Sequence, residues 1–238
     1  MNSSLSIVVM AAGMGTRIDI KDTPKCLLKI RNTSIIEYQI NCLKQIGCDK
    51  ILVVTGYNSN KIKEVLGNSV EYIFNKNFEN SNNLYSLWEA RDFIEDEFIC
   101  IYSDLLFHKK ILEKCSASSK EVTLAVERNV RNETMRVKIE NNKIIQVNKN
   151  IDSKDTDGNF IGMAKFSKNA KNELFQIIKE LIEKGNQEAY YTLAIENLIK
   201  RGKTVDFIET TGLPWMDIDT KEEIDQARKI FANEFGEK

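Results

Sequence analysis

The segment whose residue types are best suited to chemistry is a loop rich in small residues near the start of the chain. Residues 10–17 read MAAGMGTR, and Pro24 and Lys25 follow shortly after. Small residues let the backbone approach a ligand closely, and successive N–H groups of such a loop can bind phosphate oxygens. Arg17 and Lys25 add fixed positive charge. The segment therefore predicts a phosphate-binding site.

Two common phosphate-binding motifs do not fit this loop. A dinucleotide-binding motif would place a third glycine at the position of Ile18, and the following strand would end in an acid rather than in Thr55 and Gly56. The sequence contains no GxxxxGK[ST] motif, which excludes a Walker loop. A plain turn is the remaining structural alternative.

Three aspartates stand where they could contact a ligand. Asp104 follows an apolar stretch at 98–102, and α/β sheets bind ligands at the carboxyl ends of their strands. Asp217 and Asp219 occupy alternate positions, so in an extended segment their side chains point to the same side. The structural alternatives are helix capping by Asp104 and compensation of a helix dipole by Asp219.

Composition limits the classes of function. The chain has 238 residues, with 42% hydrophobic and 29% charged side chains, which is typical of a soluble globular protein. A formal charge of −1 provides no basic field for nucleic acid or an anionic membrane surface. Five cysteines without a CxxC pair and a single histidine argue against disulfide, zinc-thiolate and histidine-rich metal sites. We expect a cytoplasmic protein whose chemistry uses Asp, Lys, Arg and backbone groups.

The elements that must position these residues alternate between strand and helix in the first part of the chain. Apolar patterns predict strands at 7–10, 51–55, 70–74 and 98–102, and helices at 34–47, up to Gly67, and at 84–94. Ser34 and Glu37 are spaced as a capping box at the start of the first helix. This alternation predicts an α/β fold with a parallel, doubly wound sheet.

The pattern changes after residue 120. Strands are predicted at 122–126, 135–139, 144–147 and 160–166, with a tight turn at Asn141 and Asn142. Helices follow at 169–184 and 188–200, each closed by a glycine, and Thr220 with Glu223 caps a last helix. We expect one domain over residues 1–238, with a β-rich insert at about 121–166.

The glycine loop also carries a family resemblance. AAGMGTR at 11–17 with PKCLL at 24–28 resembles the signature of the sugar-phosphate-type nucleotidyltransferases, and within them the branch of phosphocholine and phosphonate cytidylyltransferases. Residues 82–86 (NNLYS), 102–104 (YSD) and 215–219 (WMDID) support this branch. The resemblance spans residues 7 to about 231. It implies a three-layer, Rossmann-like fold with a mostly parallel sheet, and transfer of CMP from CTP to a small phosphomonoester or phosphonate with release of pyrophosphate.

The resemblance also implies roles for individual residues. Lys25 would neutralise the α-phosphate and Arg17 would hold the departing phosphates, so that Lys25, Arg17 and Asp104 are the catalytic residues. Because the reaction joins two anions, Mg²⁺ is the expected cofactor, with Asp104, Asp217 and Asp219 as its carboxylate ligands. The implied nucleotide-binding residues are Ala11, Ala12, Gly13, Gly15, Thr16, Arg17, Lys25, Gly56, Asn83, Ser86 and Asp104.

The preference for a cytosine base rests only on the resemblance to the cytidylyltransferase branch. Residues matching Ala11, Gly56, Asn83 and Ser86 are candidates to read a pyrimidine. A carbonyl aimed at ring position 4 would accept from the amino group of cytosine and so select CTP over UTP. The sequence cannot orient that carbonyl, so UTP stays open.

On the acceptor side the chain departs from its choline-handling look-alikes. Thr134 and Ala194 occupy the positions at which those proteins carry aromatic residues for a quaternary ammonium. Arg136, Lys149 and Lys165 instead supply positive charge, which suits a phosphonate or an additional carboxylate, although a solvated sheet face is the plain alternative. Phosphocholine, 2-aminoethylphosphonate and a phosphorylated amino acid amide all stay open. The expected acceptor-binding residues are Arg136, Lys149, Tyr190 and Trp215.

Two other functions remain open at this point. A sugar-1-phosphate nucleotidyltransferase would use the same nucleotide site with a different acceptor. A catalytically silent nucleotide-binding subunit would keep the fold without the reaction. We expect no nucleic-acid or membrane partner, and we leave a homodimer open.

Overall fold

Strands and helices alternate along the first half of the chain. The computed structural model describes residues 5–15, 23–130 and 135–231, without the side chain of Lys221. The strands are β1 Ser6–Ala11, β2 Lys29–Ile30, β3 Thr33–Ser34, β4 Ile51–Thr55, β5 Glu71–Phe74, β6 Phe98–Tyr102, β7 Leu105–Phe107, β8 Val122–Glu127, β9 Met135–Glu140, β10 Lys143–Asn148, β11 Gly158–Phe166, β12 Asp206–Glu209 and β13 Trp215–Asp217. The helices are α1 Ile35–Gln45, α2 Ser59–Leu66, α3 Asn83–Glu89, α4 Lys109–Ser116, α5 Lys168–Glu183, α6 Thr192–Lys200 and α7 Lys221–Ile230. Within the described ranges, none of them combines the length and apolar character that crossing a bilayer requires.

Nine of the strands in the described ranges form one sheet at the centre of the molecule. Its order is β10-β9-β11-β6-β1-β4-β5, with β8 pairing with β11 and β12 pairing with β8. Strands β6, β1, β4 and β5 run parallel to one another. Strand β11 instead pairs antiparallel with β6, β8 and β9. The parallel half is the predicted doubly wound unit, and the antiparallel half contains the predicted β-rich segment.

Helices cover both faces of the sheet and make three layers. Ile7 and Val9 of β1 belong to an apolar cluster that includes residues of α1, α2, α4 and α7. The intervening Val8 and Met10 belong to a second cluster, with residues of α3, α5 and α6. Burial of a strand on both faces is typical of parallel sheets with helices on each side. The predicted three-layer α/β fold with a largely parallel central sheet is confirmed.

Several local signals in the sequence produce the predicted elements. Ser34 and Glu37 form a capping box at the start of α1, with hydrogen bonds in both directions. Asn141 and Asn142, at φ +49° and +60°, make the turn between β9 and β10. Both are in the left-handed region that a tight hairpin of this type requires. The capping box and the turn both depend on residues close in sequence, so the sequence alone predicts them.

Two helices are shorter than predicted, and for α6 the reason is pairing with a distant segment. Helix α3 does not extend over the predicted 84–94, and α6 begins only after residues 187–191. The backbone N–H of Tyr191 donates to Asn83 Oδ1 at 2.7 Å, and that of Asn82 donates to the Gln187 carbonyl at 3.0 Å. Residues 187–191 therefore bond to the start of α3 instead of forming a helical turn. Helical spacing in the sequence contains no information about this pairing.

Candidate active site

A cleft of about 560 Å³ opens where the carboxyl ends of the parallel strands meet the insert. Three of its walls are the loop after β1, the segment after β6 and the segment after β13. Ligands bind at this edge of open α/β sheets because the loops there are free to vary. Lining residues come from distant parts of the chain: Ala11, Ala12, Gly13, Gly15, Lys25, Asn75, Phe78, Asn83, Ser86, Tyr102, Asp104, Met135, Lys149, Phe160, Ile161, Tyr190, Asp217, Asp219 and Glu223.

The glycine loop after β1 leaves room for a lysine side chain. Gly15 has a φ of +62°, and a Cβ built on it would lie 2.6 Å from Lys25 Cγ. Any larger residue would therefore displace Lys25 in addition to straining the backbone. The predicted site residues Thr16 and Arg17 lie outside the described residues.

Lys25 forms an ion pair with Asp219 across the cleft wall. Lys25 Nζ donates to Asp219 Oδ1, joining residues 194 positions apart in sequence. Both side chains are largely buried, at 12% and 24% exposure. Glu223 accepts from the backbone N–H of Asp219 at 2.6 Å and closes the capping box of α7, which fixes the backbone that carries this carboxylate. The loop after β1 and the segment after β13 are thus held together.

A short strand pair brings Asp104 beside the other two aspartates. The Asp104 carbonyl accepts from the Ile218 N–H at 3.1 Å, and Asp217 pairs with Leu105 where β13 runs antiparallel to β7. Helix capping does not explain Asp104, because the cap of α4 is His108, whose Nδ1 accepts from the Lys110 N–H. We call Lys25, Asp104, Asp217 and Asp219 the lysine–aspartate cluster.

The donor set of this cluster suits a hard divalent cation. Mg²⁺ takes oxygen ligands and is commonly held by one or two carboxylates together with substrate phosphates. Across residues 5–15, 23–130 and 135–231, no three acidic, histidine or cysteine side chains are grouped closely enough to hold a metal by themselves. Asp104, Asp217 and Asp219 nevertheless all face one cleft that can admit a phosphorylated ligand. A substrate-completed magnesium site therefore fits the residues present.

Two other titratable groups in the cleft wall stay neutral. Burial, followed by the charge of Asp104, raises the pKa of the Cys26 thiol to about 12. Burial also raises the pKa of the Tyr102 hydroxyl well above its usual value, and Asp104 and Asp217 add to that shift. Neither group ionises near neutral pH, so neither is suited to act as a nucleophile or base.

The predicted base-reading residues occupy different positions relative to the cleft. Ala11, Asn83 and Ser86 line it, whereas Gly56 does not. A Cβ on Gly56 would lie 2.5 Å from the Ala12 carbonyl oxygen and would also clash with a neighbouring ring, so this glycine permits close packing behind the wall. The side chain of Asn83 is engaged in holding the residue-191 backbone through its Oδ1.

Among the lining residues that the sequence did not predict is a buried polar one, Asn75. Asn75 follows β5 and is 1% exposed, yet it faces the cleft. Its Nδ2 donates to Ser81 Oγ at 3.1 Å and to Ser86 Oγ at 3.2 Å. The rule that singled out Asp104, a polar residue directly after a predicted strand, would also have found Asn75.

A second group of lining residues comes from the insert and from the segment just before α6. It consists of Met135, Lys149, Phe160, Ile161 and Tyr190, and we call it the insert cluster. Lys149 Nζ donates to Tyr190 Oη at 3.0 Å and lies 4.5 Å from the centroid of the same ring. A protein cation therefore already lies against the aromatic face.

Two predicted acceptor-binding residues point elsewhere. Arg136 Nη1 donates to the Ile151 carbonyl at 2.6 Å and does not line the cleft. Trp215 is 3% exposed, and its Nε1 donates to Glu127 Oε2 at 3.2 Å in the interior. Their side chains are used to hold the fold together, because buried or half-buried donors require partners.

Two further residues of the acceptor argument also lie away from the cleft. Lys165 is buried, donates to the carbonyls of Ser116 and Ser118 at 2.8 Å, and pairs with Glu97 at 3.2 Å. Ala194 is a residue of α6 that is buried in the core. Thr134 is outside the described residues. Of the three positive charges that the sequence suggested for the acceptor, Lys149 is the one that lines the cleft; Arg136 and Lys165 do not.

Known proteins share both sequence and fold with this chain. Over 243 aligned positions it is 26% identical to the CTP:phosphoglutamine cytidylyltransferase of Campylobacter jejuni subsp. jejuni, covering 90% of this chain and 96% of that protein. It is 32% identical over 108 residues to the choline-phosphate cytidylyltransferase of Streptococcus pneumoniae, covering 43% of this chain and 46% of that protein.

A solved structure supports the architecture. The inositol-1-phosphate CTP transferase from T. maritima superposes with a TM-score of 0.81 at 18% identity, covering 96% of this chain and 95% of that one. At this identity the likeness shows the fold alone. The profile of the MobA-like NTP transferase domain matches residues 7–183, which is most of the chain. The resemblance to nucleotidyltransferases is therefore confirmed, and the chain belongs to the family of MobA-like NTP transferase domains.

Proposed function

We propose that this protein is a cytidylyltransferase that transfers CMP from CTP to a small phosphorylated or phosphonylated acceptor. An oxygen of the acceptor phosphate or phosphonate attacks the α-phosphorus of CTP. The bond from the α-phosphorus to the bridging oxygen breaks, and pyrophosphate leaves. The attacking oxygen is already ionised, so the reaction needs no protein base.

The observation that carries the proposal is the lysine–aspartate cluster beside the glycine loop. A fixed ammonium and three carboxylates converge from segments near residues 25, 104 and 218 on one cleft. Bringing two anions together requires charge neutralisation and positioning, which such a cluster supplies in a partly water-excluded site. The named cytidylyltransferase relatives support cytidine as the nucleoside.

Each part of the cleft has a role in this reaction. Backbone groups at Gly13 and Gly15 would bind phosphate oxygens, and Lys25 would neutralise charge at the α-phosphate. Arg17, from the loop, would hold the departing phosphates. Asp104, with Asp217 or Asp219, would hold Mg²⁺, which when bound neutralises charge on the transferring phosphate. Asp219 also keeps the Lys25 ammonium directed along the cleft wall.

The insert cluster favours an acceptor without a quaternary ammonium. The Lys149 ammonium lies against the Tyr190 ring, where a choline headgroup would gain its cation–π contact. A second cation there would meet like charge, whereas a carboxylate, an amide oxygen or a phosphonate would gain a donor. An acceptor such as a phosphorylated amino acid amide or a simple phosphonate is therefore preferred over phosphocholine.

The direct experiment follows pyrophosphate release in the presence of Mg²⁺. The four ribonucleoside triphosphates are tested against phosphocholine, 2-aminoethylphosphonate, a phosphorylated amino acid amide and hexose 1-phosphates. We expect release with CTP, and faster release with 2-aminoethylphosphonate or the phosphorylated amino acid amide than with phosphocholine. Activity with hexose 1-phosphates alone would reassign the protein as a sugar nucleotidyltransferase. CTP binding without release from any acceptor would instead indicate a silent nucleotide-binding subunit.

A further inference from the structure

The orientation of the Asn75 side chain is fixed by a backbone donor. The side-chain Oδ1 accepts from the backbone N–H of Asn77 at 2.9 Å. The backbone N–H of Asn75 donates to the Thr55 carbonyl at 2.8 Å. Amide oxygen and nitrogen are told apart by their partners, and a backbone N–H can only donate. Nδ2 must therefore face the hydroxyls of Ser81 and Ser86, to which it donates.

The two serines differ in what remains of their hydrogen-bonding capacity. Ser81 Oγ accepts from Asn75 and in turn donates to the Asn77 carbonyl at 2.7 Å. Ser86 Oγ also accepts from Asn75, but within the described residues its proton has no acceptor. Ser86 is 4% exposed and lines the cleft. A buried donor without an acceptor costs free energy, which a ligand acceptor would recover.

We propose that Asn75 is a positioning residue for base recognition: it makes the Ser86 hydroxyl a hydrogen-bond donor to ring nitrogen 3 of a cytosine. The inference rests on the proposed use of CTP. Cytosine has an unprotonated nitrogen at this position, whereas uracil has an N–H there. Cytosine therefore gives the Ser86 proton an acceptor, whereas the N–H of uracil gives it none. A site built for one hydrogen-bonding pattern rejects the other.

Replacing Asn75 by aspartate reverses this polarity with little change in shape. At about pH 8.5 the carboxyl group, whose ordinary pKa is about 4, is ionised and can only accept. The Ser86 hydroxyl then donates its proton to the carboxylate, and the Ser86 oxygen faces the base as an acceptor. Calorimetry with CTP and with UTP, in Mg²⁺, should show the CTP preference falling at least about tenfold in Asn75→Asp.

A matched control makes the same chemical change away from the cleft. Asn197 Nδ2 donates to the Leu193 carbonyl within α6, and Asn197 does not line the cleft. Asn197→Asp should keep the wild-type ratio of CTP to UTP affinity. The control separates loss of the Ser86 donor from a general effect of an added negative charge.

A second variant keeps the inference testable if Asn75→Asp does not fold. Ser86→Ala removes the donor itself and should lower the CTP preference by a similar factor. The double variant should be no worse than Ser86→Ala, because both changes remove one interaction. A wild-type preference in folded Ser86→Ala or Asn75→Asp would overturn the inference, as would fully additive losses in the double variant.

The binding measurement is independent of turnover. Wild-type protein that prefers CTP in calorimetry but releases no pyrophosphate with any acceptor would reject the proposed reaction and leave the role of Asn75 supported. Turnover with CTP combined with an unchanged preference in both variants would reject the role of Asn75 alone. Absence of any pyrimidine nucleotide binding would overturn both.

Discussion

The lysine–aspartate cluster and the insert cluster line the same cleft but are held in different ways. Lys25 and Asp219 are largely buried and paired, and the capping box of α7 fixes the backbone of Asp219. In the insert cluster, Lys149 is exposed and contacts a half-buried Tyr190. Partly buried, preorganised charges contribute more to a reaction than exposed ones, whose fields are screened by water. The difference suggests that the proposed reaction centre is rigid. The proposed acceptor site beside it could be adapted to another substrate by a small number of substitutions.

The largest effect is expected at Asp104. Asn in its place keeps the size and removes the charge, so Asp104→Asn should lower kcat by at least about a hundredfold, the usual cost of losing one preorganised charge. Asp152, an exposed aspartate at the edge of the insert, is a suitable control, and Asp152→Asn should retain wild-type turnover. A kcat for Asp104→Asn within a few-fold of wild type would remove this residue from the reaction centre.

A glycine pair tests the geometry of the same cluster. Gly15→Ala pushes a Cβ onto the Lys25 side chain, whereas a Cβ on Gly47, at φ +80°, would have no described atom within 4 Å. Both substitutions strain a left-handed backbone and should cost about 1 kcal/mol of unfolding free energy. We expect Gly15→Ala alone to lose roughly tenfold or more in kcat/KM, since displacing a positioned group by about 1 Å is costly.

Denaturant unfolding compares the unfolding free energies of Gly15→Ala and Gly47→Ala, and steady-state kinetics compares their kcat/KM values. Equal loss of activity in both variants would mean that the backbone, and not the placement of Lys25, sets the rate.

At the insert cluster the expected effect is on substrate choice. Lys149→Met keeps the length of the side chain and removes its charge. The KM for an acceptor with a carboxylate or second anionic group should rise about tenfold, and that for phosphocholine should stay or fall, because the aromatic face becomes available to a ligand cation. Steady-state kinetics with both acceptors checks this. Parallel changes in both KM values would contradict selection by this lysine.

The smallest effect on activity is expected at Arg136. Its guanidinium donates to the Ile151 carbonyl outside the cleft, so Arg136→Met should leave the acceptor KM within about twofold. It should lower the unfolding free energy by about 1.5–3 kcal/mol, the range for a charged hydrogen bond. Thermal or denaturant unfolding measures the change in unfolding free energy. A tenfold rise in acceptor KM without loss of stability would return Arg136 to the acceptor site.

The sequence singled out residues that meet in one cleft because its signals are local. The small residues of the glycine loop, Lys25 shortly beyond it, and Asp104 after a strand each mark a position whose neighbourhood is set by chain connectivity. Parallel strands bring their carboxyl ends to one edge, so these residues meet without further information. The fold class and most strand positions were readable for the same reason.

The remaining site residues depend on side-chain direction, which pattern alone does not determine. Arg136 and Trp215 have suitable chemistry, but their hydrogen bonds to Ile151 and Glu127 turn them away from the cleft. The position of Asn75 after a strand is readable from sequence, but its hydrogen bonds to two serines form only in the folded chain. Such placements are decided by packing between distant segments.

The most direct test of nucleotidyl transfer is the fate of labelled phosphate in CTP. With the accepted phosphorylated or phosphonylated substrate and Mg²⁺, a label on the α-phosphate should appear in the cytidine-linked product, and a label on the γ-phosphate should appear in pyrophosphate. Attack at the α-phosphorus beside Lys25 and Asp104 requires both results. Recovery of the γ-label in the acceptor or in orthophosphate would show transfer or hydrolysis at the terminal phosphate and would contradict the proposed reaction.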